Sequence, residues 1–144
     1  MSLAAAQAGA EVVHLDASPK VIAQGRANQR LSGLGDRPIR WIEDDAMKFL
    51  DREIRRGRAY DAIVLDPPKF GRGPKNEVWR FETDFPRLLA SVRQLLSDRP
   101  LFVIASVYAV RLSYLAVEQS LATALDGLGG ELEAGEMALP EQGR

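Results

Sequence analysis

The chain has 144 residues, a formal net charge of −1 and a hydrophobic share of 46%. That length suits one domain with a sizeable core, and the charge gives no overall attraction to nucleic acid, so any such binding must come from a local patch. With no cysteine and one histidine, disulfides, thiolate metal sites and cysteine nucleophiles are excluded, and no metal site is expected. The apolar runs fall far short of the ~20 residues needed to cross a bilayer, and the opening MSLAAAQAGAEVV lacks the basic flank of a signal peptide, so a cytoplasmic protein with no membrane association is expected.

In chain order, residues 2–8 are good helix formers that lead directly into Gly9-Ala10. Glu11–Leu15 (EVVHL) is a short apolar strand in which His14 is expected to pack rather than to catalyse. Ser18-Pro19 supplies an N-cap and a first helical position for a helix that Gly33 can end. Pro38–Ile42 is the second strand. From Asp44, the residues Ala46, Phe49, Leu50 and Ile54 recur at helical spacing, with Arg52, Arg55 and Arg56 on the solvated face and Gly57 as the stop. Tyr60–Leu65 is a buried strand that Pro67 and Pro68 must end, because neither can donate to a ladder. A glycine-containing loop follows, in which Lys69, Arg72, Lys75 and Arg80 alternate with Phe70, Trp79 and Phe81. That pattern suits stacking of an RNA base, and equally suits aromatic packing of the loop onto the sheet. Leu88, Leu89, Val92, Leu95 and Leu96 mark a helix, Leu101–Ala105 a fourth strand, and residues 112–125 a last long helix before Gly127; Glu131–Leu139 alternates weakly, as an edge strand would. Alternation of strand and helix predicts an α/β domain with a parallel sheet covered on both faces.

Three acidic positions fall at equivalent places: Asp16 after the first strand, Asp44-Asp45 after the second and Asp66 after the third. A right-handed parallel arrangement would align them on one carboxyl edge, where ligands of open α/β sheets bind. A carboxylate after the first of these strands can bridge both hydroxyls of a ribose through its two acceptor oxygens. Taken singly, Asp16 and Asp44 serve equally well as helix caps or turn residues. Asp66-Pro67-Pro68 is the more distinctive element, since a turn that merely ends a strand has no need of an acid and two prolines.

The succession EVVHLDAS, WIEDDAMKF and YDAIVLDPPKFGRG resembles the class I S-adenosylmethionine-dependent methyltransferases, most closely the ribosomal-RNA branch whose fourth motif reads Asp-Pro-Pro-Lys-Phe. The likeness runs from about Leu3 to about Leu139 and implies a Rossmann-like, mostly parallel sheet, with S-adenosyl-L-methionine as cofactor and RNA as substrate. It further implies that Asp16, with Ala17 and Ser18, holds the ribose hydroxyls. Asp45 with Ala46 would hold the adenine, Asp44 being the other member of the doublet. Asp66, Pro67, Pro68, Lys69 and Phe70 would form the catalytic loop, with Asp66 also facing the cofactor. The family's glycine-rich first motif and its strand are expected before residue 1, so residues 1–144 correspond to a partial methyltransferase domain. That strand lies between those at Glu11–Leu15 and Tyr60–Leu65, and without it three arrangements are open: the two strands pair directly, the open edges drive self-association, or a longer polypeptide supplies the strand.

A rigid Asp-Pro-Pro segment presents acceptors with no N–H donors between them, which suits an exocyclic amine that becomes positive as it attacks. Methylation at C5 of a pyrimidine needs a covalent nucleophile, usually cysteine; relatives that do it carry one just past the fourth strand, where this chain has Ala105-Ser106-Val107-Tyr108. A P-loop ATPase is disfavoured because no GxxxxGK[ST] occurs, and a dinucleotide oxidoreductase leaves Asp66-Pro67-Pro68 unexplained. The alternative to an RNA methyltransferase is a methyltransferase-like fragment that does not catalyse on its own.

Overall fold

The computed structural model describes residues 1–137. It opens with α1 (Ser2–Gln7), then β1 (Val12–Asp16), α2 (Pro19–Leu31), β2 (Ile39–Glu43), α3 (Ala46–Arg55) and β3 (Ala62–Leu65). A hairpin follows, β4 (Phe70–Arg72) and β5 (Val78–Arg80), before α4 (Phe81–Leu95), β6 (Phe102–Ala105) and α5 (Tyr114–Ala124). The alternation expected from the sequence is present, and each expected stop occurs: Gly33 and Gly57 take φ of +68° and +63°, a left-handed conformation open to glycine at no steric cost. The oxygen of Ser18 accepts the Val21 N–H at the start of α2, with Pro19 behind it, and Asp45 accepts the Lys48 N–H at the start of α3.

Two parallel pairs form, β1 with β2 from Val12↔Ile39 to Asp16↔Glu43, and β3 with β6 from Ala62↔Phe102 to Leu65↔Ala105. Among the described residues β1 and β3 do not pair, so direct closure of the two expected neighbours does not occur. The expectation of a sheet covered on both faces is also corrected. Ile63, Leu65 and Val103 pack inward, whereas Val64, Phe102 and Ile104 point the other way and are exposed, because side chains alternate along a strand and no helix of the described residues covers that face. The edge strand expected at Glu131–Leu139 does not form over residues 131–137, and its remainder lies outside the described residues.

The core is built on α4. Phe81, Phe85, Leu88, Leu89 and Val92 are buried together, and Met47, Leu50, Val117 and Leu121 pack on them from α3 and α5. Phe81 and Phe85 stack with ring centroids 4.4 Å apart. The helix starts a full turn and more before the expected Leu88. Pro86 leaves the Glu82 carbonyl without its helical donor, yet burial of Phe81 and Phe85 carries the helix back to the hairpin. A second lock joins α3 to the residues before β3: Glu53, fully buried, accepts hydrogen bonds from the Tyr60 hydroxyl at 2.8 Å and from Arg56 at 2.9 Å. Burial alone would raise the Glu53 pKa; these donors outweigh it and hold the carboxyl below its ordinary range. His14 packs as expected, its ring 4.6 Å from that of Trp41 and its Nδ1 hydrogen-bonded to Ser2, with burial lowering its pKa.

Phe81→Ala is expected to cost about 3–5 kcal/mol in a urea unfolding titration, since the ring is fully buried in the α4 cluster and stacked on Phe85. A cost under ~1 kcal/mol would mean that α4 is not the centre of the core.

Candidate active site

At the end of β1, Asp16 Oδ1 accepts the backbone N–H of Ser18 at 2.7 Å, a local turn that launches α2 and also fixes Ala17. Its carbonyl accepts the Asp44 N–H at 3.2 Å, so the first two acidic positions stand on adjacent strand ends. The turn role and a ligand role are compatible, because one carboxylate oxygen of Asp16 has no partner among the described residues. Asp44 is more fully engaged: Oδ1 accepts the Asp45 N–H at 2.8 Å and Oδ2 is paired with Arg52. Asp45 uses Oδ1 to cap α3, accepting the Lys48 N–H at 3.0 Å, and Ala46 begins the helix with its side exposed.

Beyond β3, Asp66, Pro68, Lys69 and Phe70 are exposed and Pro67 is buried. The Ser106 N–H donates to the Leu65 carbonyl at 2.9 Å, which continues the β3–β6 register and sets Asp66 opposite Ser106. Farther along, Ala109 has φ of +58°, an unfavourable conformation for a residue with a Cβ. No cysteine stands at this edge or anywhere in the chain.

The segment expected to be a glycine-containing loop is an antiparallel hairpin, with Phe70↔Arg80, Gly71↔Trp79 and Arg72↔Val78 in register. Gly73 N–H donates to the Glu77 carbonyl at 2.9 Å and Asn76 N–H to the Gly73 carbonyl at 3.0 Å, closing the tip. Two bonds tie the hairpin to the Asp-Pro-Pro segment: the Trp79 indole Nε1–H donates to the Pro68 carbonyl at 2.7 Å, and the Phe81 N–H to the Lys69 carbonyl at 3.0 Å. The tip docks on the start of α3 through an ion pair between Lys48 and Glu77. Gly73 fits closely there, since a Cβ on it would lie 3.1 Å from Asp45 Oδ2. The hairpin thus brings the segment 66–70 and Asp45 into one structure.

The expected alternation of basic and aromatic side chains is corrected in part. Phe81 is buried and belongs to the core, and Trp79 is half-buried with its indole engaged. Phe70 remains, 52% exposed, with the Arg80 guanidinium 6.0 Å from its ring centroid. Two grooves, of about 580 Å³ between α3 and α4 and about 230 Å³ beside His14 and Trp41, are lined by neither Asp16, Asp45 nor Asp66. Trp79, Lys48 and Glu77 were not singled out from the sequence for these contacts. A tryptophan standing eleven residues after a Pro-Pro segment, beyond a turn of Gly, Pro and Asn, was the available signal. The described residues hold no cluster of acids and histidine suited to a metal ion, and no helix long and apolar enough to cross a membrane.

No family model matches the chain. Ribosomal RNA large subunit methyltransferase I of Shewanella denitrificans is 39% identical over 69 residues, covering 47% of this chain and 17% of that protein. The chain spans less than a fifth of the length of the curated relatives it matches. A solved S-adenosylmethionine-dependent methyltransferase of Agrobacterium tumefaciens is 47% identical, with a TM-score of 0.88, over 90% of this chain and 41% of that one. A second solved protein, assigned as a methyltransferase and complexed with S-adenosylhomocysteine, shares the fold at 24% identity, with a TM-score of 0.72, over 88% of this chain and 33% of that one.

The Lys48–Glu77 pair gives the hairpin a pH dependence. The hydrogen bond from Lys48, helped by backbone donors, holds the Glu77 carboxyl down at about 2 against an ordinary 4.5. A carboxyl depressed on folding adds stability above its unfolded value and loses it as pH falls through the folded one. Protection of residues 70–80 from hydrogen exchange, taken relative to the unstructured peptide at the same pH, is therefore expected to hold at pH 5 and to fall between pH 4.5 and about 2. Unchanged protection across that window, or protection already lost at pH 6, would show that the pair does not hold the hairpin.

Proposed function

We propose that this chain, which has the fold of the class I S-adenosylmethionine-dependent methyltransferases and resembles their ribosomal-RNA branch in sequence, binds S-adenosyl-L-methionine at the ends of β1 and β2 and methylates an exocyclic amine of a nucleobase in RNA, ribosomal RNA before other substrates. The observation that carries the reading is Asp66: an exposed carboxylate at the end of a buried strand, without a partner among the described residues, followed by two residues that have no N–H.

S-adenosyl-L-methionine, when bound, supplies a methyl group on a sulfonium that leaves readily, so the protein's work is alignment of the acceptor and exclusion of water. The residues present fit that cofactor. Asp16 keeps one carboxylate oxygen without a partner while its other is oriented by Ser18, an acceptor arrangement suited to a ribose diol. Asp45 is favoured over Asp44 for the adenine amine, because both oxygens of Asp44 are committed to Asp45 N–H and Arg52. Asp66 and the carbonyls beside it accept from the substrate amine, an interaction that strengthens as the nitrogen gains positive charge. Phe70 offers an exposed ring beside Arg80 on which a base can stack, and Lys69, Arg72 and Lys75 supply charge for the RNA backbone. The absence of cysteine favours an amine over C5 of a pyrimidine. Ribosomal RNA as substrate would place the protein in the cytoplasm.

One observation favours a second reading. β1–β2 and β3–β6 are separate sheets, so backbone pairing does not join the strand ends that carry Asp16 and Asp66. On that reading the chain holds the site residues without catalysing alone, and its open strand edges take up a further strand or a second copy of the chain. Isothermal titration with S-adenosylhomocysteine separates the two: micromolar binding by the chain supports the first, and no binding the second.

Asp16→Ala is expected to weaken that binding about 10–100-fold, the loss of charge-assisted hydrogen bonds partly offset by water; unchanged affinity would exclude a ribose contact. Asp66→Ala is expected to lower the transfer rate far more than it changes cofactor affinity, and equal losses would make the residue structural.

A further inference from the structure

Pro67 and Pro68 have no N–H, so the Pro-Pro step cannot be held by donating to anything, and its carbonyl side must be held by donors brought from elsewhere. Among the described residues there are two. Phe81 N–H takes the Lys69 carbonyl at 3.0 Å, at the far end of the segment. The Trp79 indole takes the Pro68 carbonyl at 2.7 Å, two residues after Asp66. The carbonyls of Asp66 and Pro67 and the Asp66 carboxylate accept from nothing among the described residues.

Trp79 is itself well held. It packs against the buried cluster of α4, and its partner across the hairpin is Gly71. A Cβ on Gly71 would stand 3.4 Å from Pro68 Cγ and 3.8 Å from Trp79 Cβ, ordinary van der Waals contact, so the proline ring and the tryptophan flank the same point of the hairpin. The indole N–H is a donor only and cannot exchange roles. It therefore ties the segment to the core at one atom and withdraws one carbonyl of the segment from any ligand.

From this geometry we infer that Trp79 is the positioning residue of the site: its indole N–H holds the Pro68 carbonyl and so fixes the place from which the exposed Asp66 is offered to the substrate amine. The assignment rests on the methyl-transfer reading above. Trp79 acts through the segment and need not touch substrate.

The test uses the full chain, tritiated S-adenosylmethionine and ribosomal RNA from cells lacking the gene, with wild type, Trp79→Phe and Trp79→His. The phenylalanine keeps a ring and loses the donor; the histidine restores a ring N–H. Trp79→Phe is expected to lower kcat about 10-fold, as loss of one oriented hydrogen bond allows, while KM for RNA and the affinity for S-adenosylhomocysteine stay within about twofold and Trp79→His recovers part of the rate. In wild type, the indole N–H resonance that disappears in Trp79→Phe is expected to be protected from solvent exchange. An unchanged kcat, a parallel loss of kcat and cofactor affinity, or a freely exchanging indole N–H each overturns the assignment. A wild-type chain that transfers no label overturns the methyl-transfer reading and the assignment with it, and is told apart because the indole N–H is still protected.

Discussion

Burial of one face of α4 is the constraint on which the site depends. Phe81 lies at the junction of hairpin and helix, since β5 runs into α4 without an intervening residue, and it is fully buried against Phe85. Its ring contributes to the core while its N–H holds the Lys69 carbonyl. The residue before last in β5, Trp79, packs on the same cluster and holds the Pro68 carbonyl. A Pro-Pro step that brings no N–H of its own is thus held from a hairpin anchored by the hydrophobic burial of the helix that follows it. The exposed Asp66 and Pro68 flank a turn that is held by the half-buried Trp79 and, behind it, the buried face of α4.

The hairpin carries this order outward. Its tip reaches the start of α3, where Asp45 caps the helix and Lys48 pairs with Glu77. On the other side, the Asp44 N–H is bonded to the Asp16 carbonyl. A chain of local contacts therefore runs from Asp16 through Asp44 and Asp45 to the hairpin and back to Asp66, although β1 and β3 belong to different sheets. Each acid has an ordinary structural duty, a turn, an ion pair or a cap, and Asp66 alone among them has none among the described residues. That contrast is why the functional reading is placed on Asp66 first.

Much of this was legible before any coordinates. Val12–Asp16, Ile39–Glu43, Ala62–Leu65 and Phe102–Ala105 are short apolar runs bounded by turn residues, and Ser18-Pro19, Asp45, Gly33 and Gly57 punctuate the helices between them. The hairpin was not legible, because two strands of three residues carry too little alternation to separate from a loop. The first turns of α4 were hidden by Glu82, Asp84 and Pro86, although Phe81, Phe85, Leu88 and Leu89 keep helical spacing through them. That spacing also distinguished Phe81 as core from Phe70 as surface, a distinction lost when the aromatics are read as one patch. The bare face formed by Val64, Phe102 and Ile104 could not be read from strands that look fully apolar, since such strands predict cover on both sides.

If, as proposed, Asp66 and the prolines behind it present acceptors to an amine, the methyl group must end on that nitrogen. This is tested most directly by locating the transferred methyl group: the chain is incubated with deuterium-methyl S-adenosylmethionine and ribosomal RNA from cells lacking the gene, and the digested nucleosides are separated by mass. The account predicts the label on an exocyclic base nitrogen. Label on C5 of a pyrimidine or on a ribose oxygen would contradict it.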